Sequence, residues 1–376
     1  MLPNLLRVAC LALLAVTTLG CSDGSGPSDA TTETVGRADR SPTRSLTAKP
    51  RAFGDVNKIT VLADEELLAT PVGDSIRYYY QQAYPLMPQP EALYDLTFLT
   101  PDDLLTMPAR KERRTFLVVA DLRDESSPTT QMVMRDVGEE KIFAARENYR
   151  KGTTIVTNRW ATDQLIVYLF AEGPDEVAKL ITESFKAASE RIARADADKL
   201  EANIYQSGHA STLADSVALQ TGLRIDLPSD YRKARLEEDF AWLRRDLGVV
   251  VQNLMVTVLP YTGEEQISRD SAIHYRNFMG RKAVRSNTVG SYMTTNDEDL
   301  PVLTEVVDLN GNYALEARGI WEMTDDYMGG PFFTYLVPDA EAGKLYVIDA
   351  WVFAPSKGKR NYMQQLERIV QTVEVE

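Results

Sequence analysis

Leu165-Ile166-Val167-Tyr168-Leu169-Phe170, followed by Gly173-Pro174-Asp175-Glu176, decides the fold. Six apolar residues in a row, rich in β-formers, read as a buried strand. The proline early in the next segment, backed by two acids, is a helix start. Val177, Leu180, Ile181, Phe185, Ala188 and Ile192 then recur at helical spacing and form one core-facing stripe. The same order returns near the end of the chain. Leu345-Tyr346-Val347-Ile348 leads through Pro355 into a terminal helix with Tyr362, Met363, Leu366, Ile369, Val370 and Val373 on one face. A strand feeding a packed helix in each half implies an α+β fold of two related sheet-plus-helix domains, over residues 55–205 and 215–376.

Working outward, further strands are expected at Lys58–Leu62, Ala92–Leu99, Thr115–Leu122, Thr153–Thr157, Gly222–Leu227, Asp239–Leu243 and Val249–Pro260. Asn310-Gly311 marks a hairpin within Val302–Trp321. Pro331–Val337 pairs with Leu345–Phe353. Helices are expected over Glu66–Tyr84 and Ser268–Met279. Three tyrosines in a row, Tyr78 to Tyr80, cannot all face one core, so at least one lies at a surface or interface. With Tyr84, Tyr94 and the extended Met87-Pro88-Gln89-Pro90 segment they form an aromatic cluster that suits either inter-domain packing or a glycan or peptide surface.

The N-terminus carries a different signal. Arg7, the apolar run Val8–Val16 and then Thr18-Leu19-Gly20-Cys21 read as a secretory signal peptide over residues 1–20, too short to span a membrane. The small residue before Cys21 resembles the lipobox of bacterial lipoproteins, which implies lipidation at Cys21 and a membrane-anchored mature chain. Residues 21–54 then form the lipidated N-terminus and a linker rich in Ser, Thr, Gly, Asp and Pro that lacks the apolar residues to order itself. The stretch 22–50 acts as a tether with an r.m.s. span of roughly 30 Å. Ser22, rather than Asp, directly after the cysteine points to the outer membrane; Asp23 has a counterpart in surface-export signals. Either face of that membrane fits.

Composition excludes several function classes. The formal charge is −14, which repels nucleic-acid phosphate and makes a DNA-binding role a poor match. The same charge leaves membrane attachment to acyl chains rather than to a basic patch. Cys10 and Cys21 are the two cysteines, so with one cleaved away and one acylated no disulfide or thiolate nucleophile remains. Two histidines, His209 and His274, argue against a multi-histidine metal site, and no cofactor motif is present.

Four groups of residues are candidates for function. Met328-Gly329-Gly330-Pro331 reads either as exposed amides that cradle an anion or peptide end, or as a tight strand-to-strand connection. Lys359 and Arg360 stand at the positive end of the last helix's dipole, which costs about 0.3–1 kcal/mol each unless an acid or bound anion offsets it. An internal acid such as Asp325 or Asp326, or simple solvation, is the expected answer. Glu91, Asp325 and Asp326 are also candidate catalytic carboxylates, since a glycosidase-like pair needs two acids across a cleft. Ser207, His209 and Ser211 lie close in sequence, which fits a Ser-rich boundary loop better than a triad.

The phrases Ser291-Tyr292-Met293-Thr294-Thr295, Ala317-Arg318-Gly319-Ile320-Trp321, Met328-Gly329-Gly330-Pro331-Phe332 and Val352-Phe353-Ala354-Pro355, with Met87-Pro88-Gln89-Pro90-Glu91 in the first half, resemble the Bacteroidetes lipoprotein family called domain of unknown function 4837. The resemblance runs from about Lys58 to Val373. It implies an envelope lipoprotein with no established activity or catalytic residue. The C-terminal half is also similar to the PsbP and Mog1 plan, mostly of binding modules. Together these readings favour a non-enzymatic module for an envelope protein or glycan partner. An envelope glycan hydrolase with paired carboxylates is the alternative, and a carrier of a hydrophobic ligand is a third.

Overall fold

The computed structural model describes residues 48–148 and 151–375, so the signal peptide, Cys21 and the tether lie outside the described residues apart from its last three positions. Residues 49–376 form one compact unit. In the first half the chain runs β1 (Lys58–Leu62), α1 (Glu65–Leu68), α2 (Pro71–Tyr80), β2 (Asp95–Leu99), α3 (Pro101–Thr106), β3 (Thr115–Asp121), α4 (Pro128–Val137), α5 (Glu139–Asn148), β4 (Lys151–Thr157), β5 (Leu165–Ala171) and α6 (Pro174–Ile204). The strands form one sheet in the order β2-β1-β3-β5-β4, in which only β4 runs antiparallel to its neighbour. All of β5 is buried, because a parallel strand covered on both faces has no polar side to show. Val61, Leu117 and Val167 face α2 and α6; Leu62, Val118 and Tyr168 face α3, α4 and α5.

The second half comprises α7 (Ser211–Thr221), β6 (Leu223–Arg224), β7 (Arg232–Glu237), β8 (Phe240–Asp246), β9 (Val251–Pro260), α8 (Arg269–Ala283), β10 (Met293–Asn296), β11 (Leu303–Leu309), β12 (Asn312–Met323), β13 (Asp326–Asp339), β14 (Lys344–Phe353), α9 (Arg360–Val370) and β15 (Glu374–Val375). An antiparallel sheet is ordered β10-β12-β13-β14-β9-β8-β7, with β11 also on β12 across the Asn310-Gly311 hairpin. Helices α7 and α9 cover one face and α8 the other. The α+β class read from the sequence is the class of the structure. The two halves share a sheet between helices, but the first sheet is largely parallel and the second antiparallel.

Several boundaries differ from expectation for local reasons. The helix expected over Glu66–Tyr84 is two helices, because the Thr70 hydroxyl accepts from the Val72 amide and Pro71 opens a new first turn. The strand expected at Gly222–Leu227 is the two-residue β6. Among the three tyrosines, Tyr80 is fully buried and Tyr78 is 73% exposed. Helix α6 does not stop at its apolar stripe but continues to Ile204. Among the described residues no helix is long and apolar enough to cross a membrane.

One ion pair is sealed inside the second half. Arg276 of α8 and Asp349 of β14 are both wholly buried, with Nε to Oδ1 at 3.1 Å. Thr334 Oγ1 donates to the same oxygen at 2.6 Å, and the guanidinium also lies 3.8 Å from the centre of the Phe332 ring. Burial raises the Asp349 carboxyl and lowers the Arg276 guanidinium, each partly opposed by its partner. Arg276→Met should therefore lose about 3–5 kcal/mol in urea unfolding, because it strands a buried charge, and adding Asp349→Leu should restore much of that. An acid whose folded pKa is raised destabilises above that value and not below the ordinary carboxylate range. The deficit of Arg276→Met relative to the parent should shrink as pH falls through the raised pKa of Asp349.

Candidate functional site

The structure brings Glu91, Lys359 and Arg360 together and leaves the other candidates apart from them. Glu91 follows the Met87–Pro90 segment of the first half. Its Oε1 accepts from the Lys359 amide at 2.6 Å and its Oε2 from the Arg360 amide at 3.0 Å, so it caps α9 from across the junction. The carboxylate fills the orphan donors of the helix start and offsets the two cations. The Arg360 side chain then reaches Asp95, with Nη2 to Oδ2 at 3.0 Å, and donates to the carbonyls of Ala92 and Leu93. The internal acid expected for Lys359 and Arg360 exists, but it is Glu91 with Asp95 and not Asp325 or Asp326. Glu91 is a capping residue whose two oxygens are both engaged. A groove of about 520 Å³ opens beside this joint, lined by Glu91, Asp95, Lys357, Arg360, Asn361 and Gln365.

More of the junction is polar and knit. Asn57 donates to the side-chain oxygens of Asn361 (3.0 Å) and Gln364 (2.6 Å) of α9, while its amide donates to Asp196 of α6 at 2.8 Å. Tyr84 donates to Glu367 at 2.7 Å, and Arg318 bridges Glu367 to Glu316, which also accepts from Tyr335 at 2.8 Å. Burial, then the Glu367 charge, holds the Tyr84 hydroxyl well above the usual phenol range. The carboxylates Glu316 and Glu367 are thus bound to one guanidinium and two phenols.

Met328–Pro331 is neither a loop nor a strand connection: it lies within β13, which begins at Asp326 and pairs Gly329 and Gly330 with Glu322 and Trp321. Neither glycine has a positive φ. The need for Gly330 is steric, since a Cβ there would run into the Val352 carbonyl and the Trp321 indole. Asp325 and Asp326 form the tip of the β12–β13 hairpin; the Asp325 amide donates to Ser291 at 3.4 Å, and Asp326 accepts from the Tyr327 amide at 2.8 Å. His209 pairs with Asp226 at 2.8 Å and stacks on Tyr205, while Ser207 gives its carbonyl to Ser229. Among the described residues no cluster of His, Cys, Asp or Glu has metal-binding geometry.

A crevice of about 660 Å³, not anticipated from the sequence, opens at the carboxyl ends of β1, β2 and β3. The chain leaves β1 for β2 on one side and leaves β3 for β4, beyond β5, on the other. The crevice sits where the strand order reverses, the position where parallel sheets of this kind take ligands. Its walls carry Asp64, Glu65, Glu66, Asp102, Asp121 and Asp124, with hydroxyls of Thr70, Thr100, Ser126 and Ser127 and no cationic or aromatic side chain. Inner groups are fixed: Asp64 accepts from Ser127 and from Thr129 (2.8 Å), and Asp121 accepts from the amides of Arg123 (2.9 Å) and Gly173 (2.6 Å). Thr100 and Asp103 close a capping box on α3. Glu66 and Asp102 are exposed on the rim and make no ion pair among the described residues.

With the fold and these sites in place, the likeness to known families can be stated. The described chain is an α+β protein in which each half matches a family of unknown function. Residues 210–372 match the family described as domain of unknown function DUF4837, and the resemblance read from the sequence holds there. Residues 52–205, which that reading had included, match a second family, domain of unknown function DUF8532. No curated protein matches. Similar solved structures include a Bacteroides thetaiotaomicron protein (10% identity, 41% of this chain and 45% of that one, TM-score 0.25), of which this chain spans less than half. Others are the Saccharomyces cerevisiae Ran-binding protein Mog1p (10%, 41% and 90%, 0.28) and LpqN of Mycobacterium tuberculosis, described as involved in cell envelope biogenesis (13%, 40% and 81%, 0.25).

The capping geometry generates a direct test. Glu91→Ala should cost about 1–2 kcal/mol of stability, as loss of a helix cap does, and should speed hydrogen exchange at the amides of Lys359 and Arg360 ahead of the sheet.

Proposed function

We propose that this protein is a lipid-anchored cell-envelope module that binds a partner and performs no chemistry of its own. The anchor is Cys21 and the tether is residues 22–50. The observation that carries the reading is the crevice at the carboxyl ends of β1, β2 and β3, a concave site at the reversal of strand order. Its acidic, hydroxyl-rich wall selects a basic segment of an envelope protein, which finds there unpaired carboxylates on a rigid scaffold. The hydrolase alternative loses support because Glu91 is occupied as a helix cap and Asp325 and Asp326 sit on a hairpin tip. A glycan site would also want an aromatic platform, and the crevice wall has none.

Crosslinking in intact cells, followed by purification of the tagged protein and mass spectrometry, tests the reading. A stoichiometric partner with a basic segment is expected. Glu66→Lys with Asp102→Lys should weaken its capture about tenfold or more, at roughly 1 kcal/mol per reversed charge. Capture unchanged by the double reversal would remove the crevice from the interface. Separately, Cys21→Ala should move the protein from the membrane to the soluble fraction; retention in high salt would overturn the anchor.

A further inference from the structure

The charges of the first half are sorted along its strands. The crevice at the carboxyl edge is acidic throughout. At the opposite, amino edge, where the described chain enters at Lys49, the balance reverses. A depression of about 790 Å³ there is lined by Arg51, Arg114, Arg191, Arg194 and Lys199, against Asp55, Asp163 and Asp198. Asp163 pairs with Arg51 at 2.9 Å, Asp55 with Lys58 at 2.6 Å and Arg114 with Asp196 at 3.0 Å, which leaves Arg191, Arg194 and Lys199 against Asp198. Arg191 and Arg194 are exposed on α6 and form no ion pair among the described residues. Beside them Phe53 is 51% exposed and lines both this depression and a neighbouring cavity of about 370 Å³. The Phe53 backbone is held by a bridge to Arg113.

We infer that this amino edge is a docking surface for anionic lipid headgroups. Three observations select that occupant. Arg191 and Arg194, exposed and outside any ion pair among the described residues, complement a negative surface and add about 1 kcal/mol each near it. An exposed aromatic ring among them suits the interfacial layer. The described chain also begins at this edge, and Lys49 follows Cys21 by 28 positions in the sequence. The overall charge of −14 does not forbid this. The strands are roughly 17 Å long at five residues, about two Debye lengths at physiological salt, so the acids of the far edge are screened from the lipid. Docking by this edge turns the acidic crevice away from the membrane toward a partner. That orientation rests on the envelope reading above, whereas the surface itself does not.

The test uses the mature chain from residue 21 with Cys21→Ser, so that no acyl chain contributes. It is mixed with vesicles of phosphatidylcholine alone or with added phosphatidylglycerol and sedimented. Binding only to the phosphatidylglycerol vesicles, falling as sodium chloride rises, is expected. Arg191→Glu with Arg194→Glu should reduce it about tenfold or more, while Glu66→Lys with Asp102→Lys should not reduce it; circular dichroism confirms that each variant is folded. Equal binding to both vesicles, or binding unchanged by the arginine reversals, would overturn the surface. So would release by inorganic phosphate beyond that by chloride of equal ionic strength, since that marks a discrete phosphate site. None of these outcomes bears on partner capture by the crevice, so the two readings fail separately.

Discussion

One carboxylate anchors the polar joint between the halves. Glu91 lies on a short extended segment of the first half and caps the start of the second half's last helix by taking the amides of Lys359 and Arg360. Those amides lack partners in their own helix, and two cations at the same end make the position worse. Supplying the acceptor from another part of the chain makes the order of α9 depend on docking. Arg360 then fastens Asp95 and two carbonyls of the same segment, and Asn57 and Tyr84 add bonds along one side of α9. The apolar side of α9, Met363, Leu366, Ile369 and Val370, is buried in the second half's own core. One helix therefore serves as the core of one half and the polar interface of the other.

The sequence discloses the parts of this arrangement that are local. Apolar runs such as Leu165–Phe170, the Asn310-Gly311 turn and the stripes of α6 and α9 are short-range patterns, and each emerges where expected. The unfavourable charge at Lys359 and Arg360 was legible too, because a helix start has a known sign. The acid that answers it was not, since Glu91 stands 268 positions away and sequence distance carries no trace of spatial approach. The same limit hid the crevice. It is made by the ends of β1, β2 and β3, and only the strand order brings Asp64, Asp102 and Asp121 to one edge.

Met328–Pro331 was opaque for another reason. Two glycines before a proline usually mean a turn, and here they mark a place where strands press close enough to exclude a side chain. The Trp321 indole donates to the Val352 carbonyl at 3.2 Å across the very space a Cβ on Gly330 would occupy. Glycine as a turn-former and glycine as a spacer are written with the same letter, and only packing distinguishes them. The helices α3 to α5 went unread because their polar faces are wide and their apolar residues few.

The two family matches meet between residues 205 and 210, directly beyond the end of α6. That helix belongs to the first sheet by sequence, yet Leu200 packs against the second core and Glu201 pairs with Arg368 of α9 at 2.7 Å. The seam between the family matches and the seam in space thus fall at different places. A lineage that exchanged one half for another at the family boundary would carry α6 along with the first half. The incoming second half would have to present a last helix already fitted to Glu91, Asp95 and Glu201. Modularity in descent is here restrained by stereochemistry, and the two halves are free to change only as a matched pair.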